Sequence, residues 1–187
     1  MRLKDEDKQQ RIKEALVRLI LREGIDGTSV SKIAREAGVS PATIYVYYDN
    51  KEAMLAEAFR EYAHKSYGYL RSCIRPEMNA ASVIEAIVRG YYQYSFDHED
   101  IFSFVEQCSR CPTLSAEVCE KDCSCDVFES IHEYQRRGEI RPCSDWTLGS
   151  LLLSPVRFMA MNRSAMADES EAHLRELIQM LQTMLLI

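Results

Sequence analysis

Apolar side chains return every three to four residues along almost the whole chain, and that spacing admits little but helix. Ile12, Leu16, Leu19 and Ile20 share one face. Val30, Ile33, Ala34 and Ala37 make a second short stripe, and Met54, Leu55, Ala58, Phe59 and Tyr62 a third. With seven glycines and five prolines in 187 residues, the chain lacks the punctuation that a turn-rich β fold requires. No segment alternates convincingly with period two, so the expected fold class is all-α.

Start and stop signals divide the pattern. The first helix is expected over about Asp5 to Glu23, with Gly24 as its C-cap. Thr28 or Ser29 can cap a second helix that stops at Gly38, and Ser40 with Pro41 opens a third. Asn50 caps a fourth, from Lys51 to about Arg75, which Pro76 ends. Further helices are expected over 80–97, 101–108, 115–137, 145–163 and 169–186, the last begun by an Asp168/Glu171 capping box.

The third helix is unusual. In GVSPATIYVYYDN, three tyrosines fall within four positions of a helix too short to bury them all. At about 100° per residue, Ile44 and Tyr48 point inward and leave Pro41, Ala42, Thr43, Tyr45, Val46 and Tyr47 outside. Two short helices joined by EAGVS form a helix-turn-helix, whose second helix enters a DNA major groove while nearby hydroxyls and cations hold phosphates. Charge follows the same division. The chain carries a net charge of -6, yet residues 1–51 hold ten Lys and Arg against eight Asp and Glu, while residues 52–187 hold thirteen against twenty-one. A mildly basic head on an acidic body suits a DNA-binding domain over 1–52 joined to a helical domain over 53–187 that does not touch DNA. The start MRLKDEDKQQR has no apolar signal segment and no stretch is long enough to span a membrane, so a cytoplasmic protein is expected.

TSVSKIAREAGVSPATIYVYYDNKEAML resembles the DNA-binding domain of the TetR/AcrR family of bacterial transcriptional repressors, and the match is dense over about Gly24 to Leu55. The resemblance implies that Thr28, Ser31 and Lys32 lie at or near the DNA backbone and that Lys51 grips a phosphate. It also implies that Pro41, Ala42, Thr43 and Val46 face base edges while Tyr45 and Tyr47 mostly hold phosphates. Three departures are visible: Ala42 stands where glycine is common, Tyr48 replaces the usual phenylalanine, and Asp49-Asn50 replaces the frequent proline-serine pair. Pro41, Ala42 and Val46 cannot form bidentate hydrogen bonds, so readout is expected through thymine methyls and DNA shape.

For the second domain the resemblance implies a small-molecule effector pocket, hence a repressor released from its operator by an organic ligand. Tyr91, Tyr94, Phe102, Phe104, Cys108, Phe128, Phe158 and Met159 are the candidate liners, chosen as bulky or polarisable residues on the middle helices. WTLGSLLLSPVRFMAM is apolar nearly all round, whereas Leu174, Leu177, Ile178, Leu181 and Leu185 mark one stripe, a combination that points to a homodimer through the last two helices.

Seven cysteines open an alternative, a metal- or thiol-responsive sensor. Cys108 and Cys111 are spaced i, i+3 and Cys119 and Cys123 i, i+4, so these four are candidate ligands for zinc or copper(I). A lone Cys-x2-Cys is a weak signal, and burial as small apolar side chains is the alternative account of these cysteines. No cofactor is otherwise required. No nucleophile-base constellation, phosphate loop or metal-hydrolase motif is present, and His64, His98, His132 and His173 share no ligand spacing, so no enzyme is expected.

Overall fold

Side-chain caps decide where the helices begin. The computed structural model describes residues 2–114, 125–166 and 169–187, and these are helical throughout apart from turns and one isolated antiparallel bridge between Ile140 and Leu186. Ser29 Oγ accepts the Lys32 N–H, Ser40 Oγ the Thr43 N–H, Asn50 Oδ1 the Ala53 N–H and Asn79 Oδ1 the Ser82 N–H. Each satisfies a donor that a helix start would otherwise leave unpaired.

Two compact units emerge, Met1–Ala63 with Asp100–Lys121 and His64–Glu99 with Asp122–Ile187. The first contains α1 (Arg2–Gly27), α2 (Val30–Ala37), α3 (Pro41–Tyr47), the opening turns of α4 (Lys51–Cys73) and nearly all of α6 (Glu99–Ser109). Their inner faces share one apolar cluster in which Ile12, Leu16, Ile33, Ile44, Met54 and Phe104 are all essentially inaccessible. Tyr62 meets Phe104 edge-on at 5.8 Å, so α6 belongs to this core as fully as the first four helices do.

α1 does not stop at Gly24. The backbone leaves the helical region there (φ 76°, ψ 172°) and the chain resumes its turn to Gly27. A side chain at that φ is strained, which is why glycine occupies the kink. Thr28 Oγ1 donates to the Gly24 carbonyl at 2.8 Å and closes the corner.

In the second unit, α5 (Ala80–Asp97) is the central element, packed by α9 (Ser154–Met161) and α11 (Ser170–Leu185), with α7 (Cys125–Arg136) and α8 (Asp145–Leu152) also against it. Arg89 on α5 reaches Glu171 on α11 at 3.1 Å. Glu171 also pairs with Arg175, so its carboxylate is engaged away from the expected capping box, whose Asp168 lies outside the described residues. The single helix expected over 145–163 is broken: α8 ends at Leu152, α9 begins at Ser154 and α10 (Arg163–Met166) follows Asn162. Pro155 is the physical reason for the first break, since it lacks a backbone donor and its ring crowds the preceding turn. α4 likewise ends at Cys73, short of Arg75, because the residue before Pro76 disfavours the helical region. The expected helix over 115–137 is described only as α7, and residues 115–124 lie outside the described part.

At Gly90, α5 passes close to the end of α4. A Cβ built on it would lie 2.8 Å from Cys73 Sγ and 3.5 Å from Leu70 Cδ2. Gly90→Ala is therefore expected to destabilise the protein despite the helix propensity it adds. In a Cys73→Ala background the same change should instead stabilise by up to about 1 kcal/mol. Urea denaturation of the four variants of this cycle reads the coupling.

Candidate nucleic-acid interface

α3 can face outward only because two of its residues anchor it from behind. Ile44 is 1% exposed and Tyr48, the C-cap, 4%, whereas Tyr45 is 57% and Val46 77% exposed. Pro41 and Ala42 are also exposed, and Thr43 and Tyr47 are half-buried. Ser40 accepts the Thr43 amide and lies 2.9 Å from its hydroxyl, which ties Thr43 to the start of the helix. The turn into α3 is set by Gly38 at φ 68°, where Val39 N–H donates to Ala34 O at 2.9 Å and Gly38 N–H to Arg35 O at 3.3 Å. These bonds satisfy the last carbonyls of α2 and fix the angle at which α3 leaves.

The remaining expected DNA contacts divide. Ser31 is exposed on α2, and Arg35, one turn further along the same face, is exposed as well. The i, i+4 spacing puts Arg35 on the same face of α2 as Ser31. Thr28 has an internal place instead: it is 4% exposed and its hydroxyl is committed to Gly24 O. Lys32 Nζ sits 2.6 Å from Glu23 and donates to Gly27 O at 2.7 Å. Hydrogen bonds from Lys32, then Arg22, hold the Glu23 carboxyl below its ordinary range, and Arg18 does the same for Glu36. Lys51 Nζ donates to Ile25 O at 3.2 Å and Thr28 O at 3.3 Å, a cation closing the carbonyl end of α1. Nothing in the one-dimensional spacing announces that contact, because it joins residues more than twenty positions apart.

The expected effector liners divide between the two units. Phe102, Phe104 and Cys108 fall in the first unit, the last two in its apolar core. Tyr91, Tyr94, Phe128 and Met159 are buried in the second, with Arg157 Nε 3.3 Å from the Tyr91 hydroxyl. Phe158 is 68% exposed and so lines no enclosed space within one chain. Of the candidate metal ligands, Cys108 is buried and Cys111 half-buried, while Cys119 and Cys123 lie outside the described residues. Among the described residues no three His, Cys, Asp or Glu side chains come together to hold a metal ion.

Residues 12–58, which build α1 through the start of α4, match the bacterial regulatory proteins of the tetR family. The whole chain superposes on a TetR family transcription regulator from Marinobacter aquaeolei with TM-score 0.84, covering 100% of this chain and 99% of that one at 20% identity. An HTH-type transcriptional regulator of Haemophilus influenzae is 25% identical over 151 residues, 78% of this chain and 77% of that protein. The chain belongs to the TetR family. As a TetR-family protein it is a DNA-binding transcriptional regulator, and α2–turn–α3 is its helix-turn-helix. The fatty acid metabolism regulator of Bacillus subtilis is 31% identical over 85 residues, 46% of this chain and 44% of that protein.

Lys51→Met should lower stability by about 1–2 kcal/mol in denaturant titrations without DNA, because two carbonyl oxygens lose a charged donor. A lysine serving only as a phosphate anchor would leave that titration unchanged.

Proposed function

We propose that the protein is a homodimeric repressor acting in the cytoplasm, which docks two α3 helices in successive major-groove faces of its operator and is released by a small organic effector bound in the second unit. The observation that carries the DNA-reading half is the outward face of α3, where Tyr45 and Val46 are exposed beside Pro41 and Ala42 while Ile44 holds the helix in place. Val46, Pro41 and Ala42 meet base edges through apolar contact. Thr43 completes that face. Tyr45 and Tyr47 lay their rings along the backbone and donate to phosphate oxygens, with Ser31 contributing from α2. Lys32 and Lys51 reach phosphate only by sharing donors that already bond within the fold. Thr28 serves the interface indirectly, by holding the corner before α2.

Dimerisation is supported by apolar side chains that one copy leaves in water. Trp146 on α8 is 75% exposed, Phe158 and Met161 on α9 are 68% and 54%, and Met180 and Met184 on α11 are 63% and 51%. On α11, Leu174, Ile178, Leu181 and Leu185 point inward, so Met180 and Met184 form a second stripe that the described residues leave exposed. A shallow groove of about 330 Å³ runs along it, lined by Glu176, Gln179, Met180, Thr183 and Met184. Half-sites on DNA lie roughly 34 to 36 Å apart or a multiple of that, so a two-fold pair of α3 helices reads a palindrome and a small change in their spacing ends simultaneous docking. Tyr91, Tyr94, Phe128 and Met159, all buried in the second unit, are the liners of the proposed effector site.

Fluorescence anisotropy on DNA from around the protein's own gene tests the reading. Tyr45→Phe and Tyr47→Phe should each weaken binding by about 1 kcal/mol per half-site whatever the sequence, whereas Val46→Ala should change the preference at particular base pairs. Absence of any salt-sensitive, sequence-dependent binding overturns the proposal. Sedimentation equilibrium tests the interface: Met180→Asp with Met184→Asp should give a folded monomer where the natural chain is a dimer.

A further inference from the structure

We propose that Cys108 and Cys111 form a peroxide-oxidisable dithiol in the DNA-reading unit, with Cys111 as the attacking sulfur and Cys108 as the buried partner that closes a reversible disulfide. This second input does not depend on the effector reading above.

Both residues belong to one turn and one packing environment. The Cys111 N–H donates to Cys108 O at 3.0 Å, closing a turn in which the two Cα atoms stand within about 7 Å, the spacing a disulfide needs. Cys108 is wholly buried in the apolar cluster of the first unit and Cys111 packs against the same cluster from its edge. Their environments are opposite in chemistry. Cys111 is half-buried, its sulfur 3.1 Å from the Thr113 hydroxyl. Hydrogen bonds from that hydroxyl and then from the Leu114 amide hold its thiol below the ordinary range. Burial, then the proximity of Cys111, pushes the Cys108 thiol up to about 12, so it is neutral and shielded. A more accessible thiol with a lowered pKa beside a buried one is the arrangement that sulfenic-acid chemistry exploits.

The steps balance with a hydroperoxide as oxidant. Cys111 thiol releases its proton, and the thiolate attacks the terminal peroxide oxygen. The S–O bond forms as the O–O bond breaks, and the departing alkoxide or hydroxide takes up the proton. Cys108 then loses its proton as its sulfur attacks the Cys111 sulfenic acid; the S–S bond forms, the S–O bond breaks, and hydroxide leaves with that proton as water. The dithiol gives up two electrons and the peroxide accepts two. Closing the bond draws the Cys108 sulfur toward the edge of a core that it shares with Ile12, Leu16 and Ile44, the residues that seat α1 and α3. Oxidation therefore weakens the DNA-reading face.

Peptide mapping of the intact protein after brief hydrogen peroxide treatment decides the matter. Trypsin cuts after Arg110, between the two cysteines, so the bond would join the peptide ending at Arg110 to the one beginning at Cys111. Fragment ions should place the link at Cys111, not Cys119, with dithiothreitol undoing it. In Cys108→Ser, Cys111 should stop at a dimedone-reactive sulfenic acid; in Cys111→Ser, Cys108 should remain a free thiol under the same treatment. Operator affinity of the natural chain should fall at least tenfold on oxidation and recover on reduction. A Cys111 that stays reduced, or that pairs with a cysteine other than 108, overturns the proposal. Oxidation that leaves a measurable operator affinity unchanged overturns its regulatory consequence. If neither redox state binds DNA while the link forms as stated, the repressor reading fails and the dithiol stands.

Discussion

Seven residues do not hold a helix in water, and α3 exists because Ile44 is buried. Its side chain enters a cluster fed by α1, α2, α4 and α6, and the energy of that burial fixes the orientation of a helix whose other residues are largely turned outward. The caps at Ser40 and Gly38 then set where the helix starts and the direction from which it arrives. Positioning for recognition is thus done from behind, by apolar contact, leaving the outer face with little structural duty.

Much of this arrangement is legible in the sequence. Ile33, Ala34, Ala37 and Ile44 follow helical spacing, and Ser29, Ser40 and Asn50 cap as their position before each apolar run indicates. α5 spans Ala80–Asp97 as its pattern requires. What periodicity cannot carry is contact at long range. Phe104 and Cys108 look like liners of a C-terminal pocket until α6 is seen to complete the first unit's core. Lys51 looks like a free cation until two carbonyls more than twenty residues away are found at its ammonium group. Pro155 marks the break between α8 and α9, although the apolar run around it reads as one continuous helix.

The two units use their apolar residues differently. In the first, Tyr45 and Val46 are large apolar side chains left in water, on the second helix of the helix-turn-helix. In the second, Trp146, Phe158, Met161, Met180 and Met184 are left so, on the helices read as the seam between two copies. In both cases the exposure falls on a surface proposed to be covered by a partner.

The outer face of α3 also says what kind of event recognition is. Pro41, Ala42 and Val46 have no side-chain donor or acceptor. Whatever docks on them displaces ordered water from apolar surface rather than trading one hydrogen bond for another. Such association carries a negative heat-capacity change and a driving force that shifts with temperature, so the discrimination between operators is itself a thermally tuned quantity.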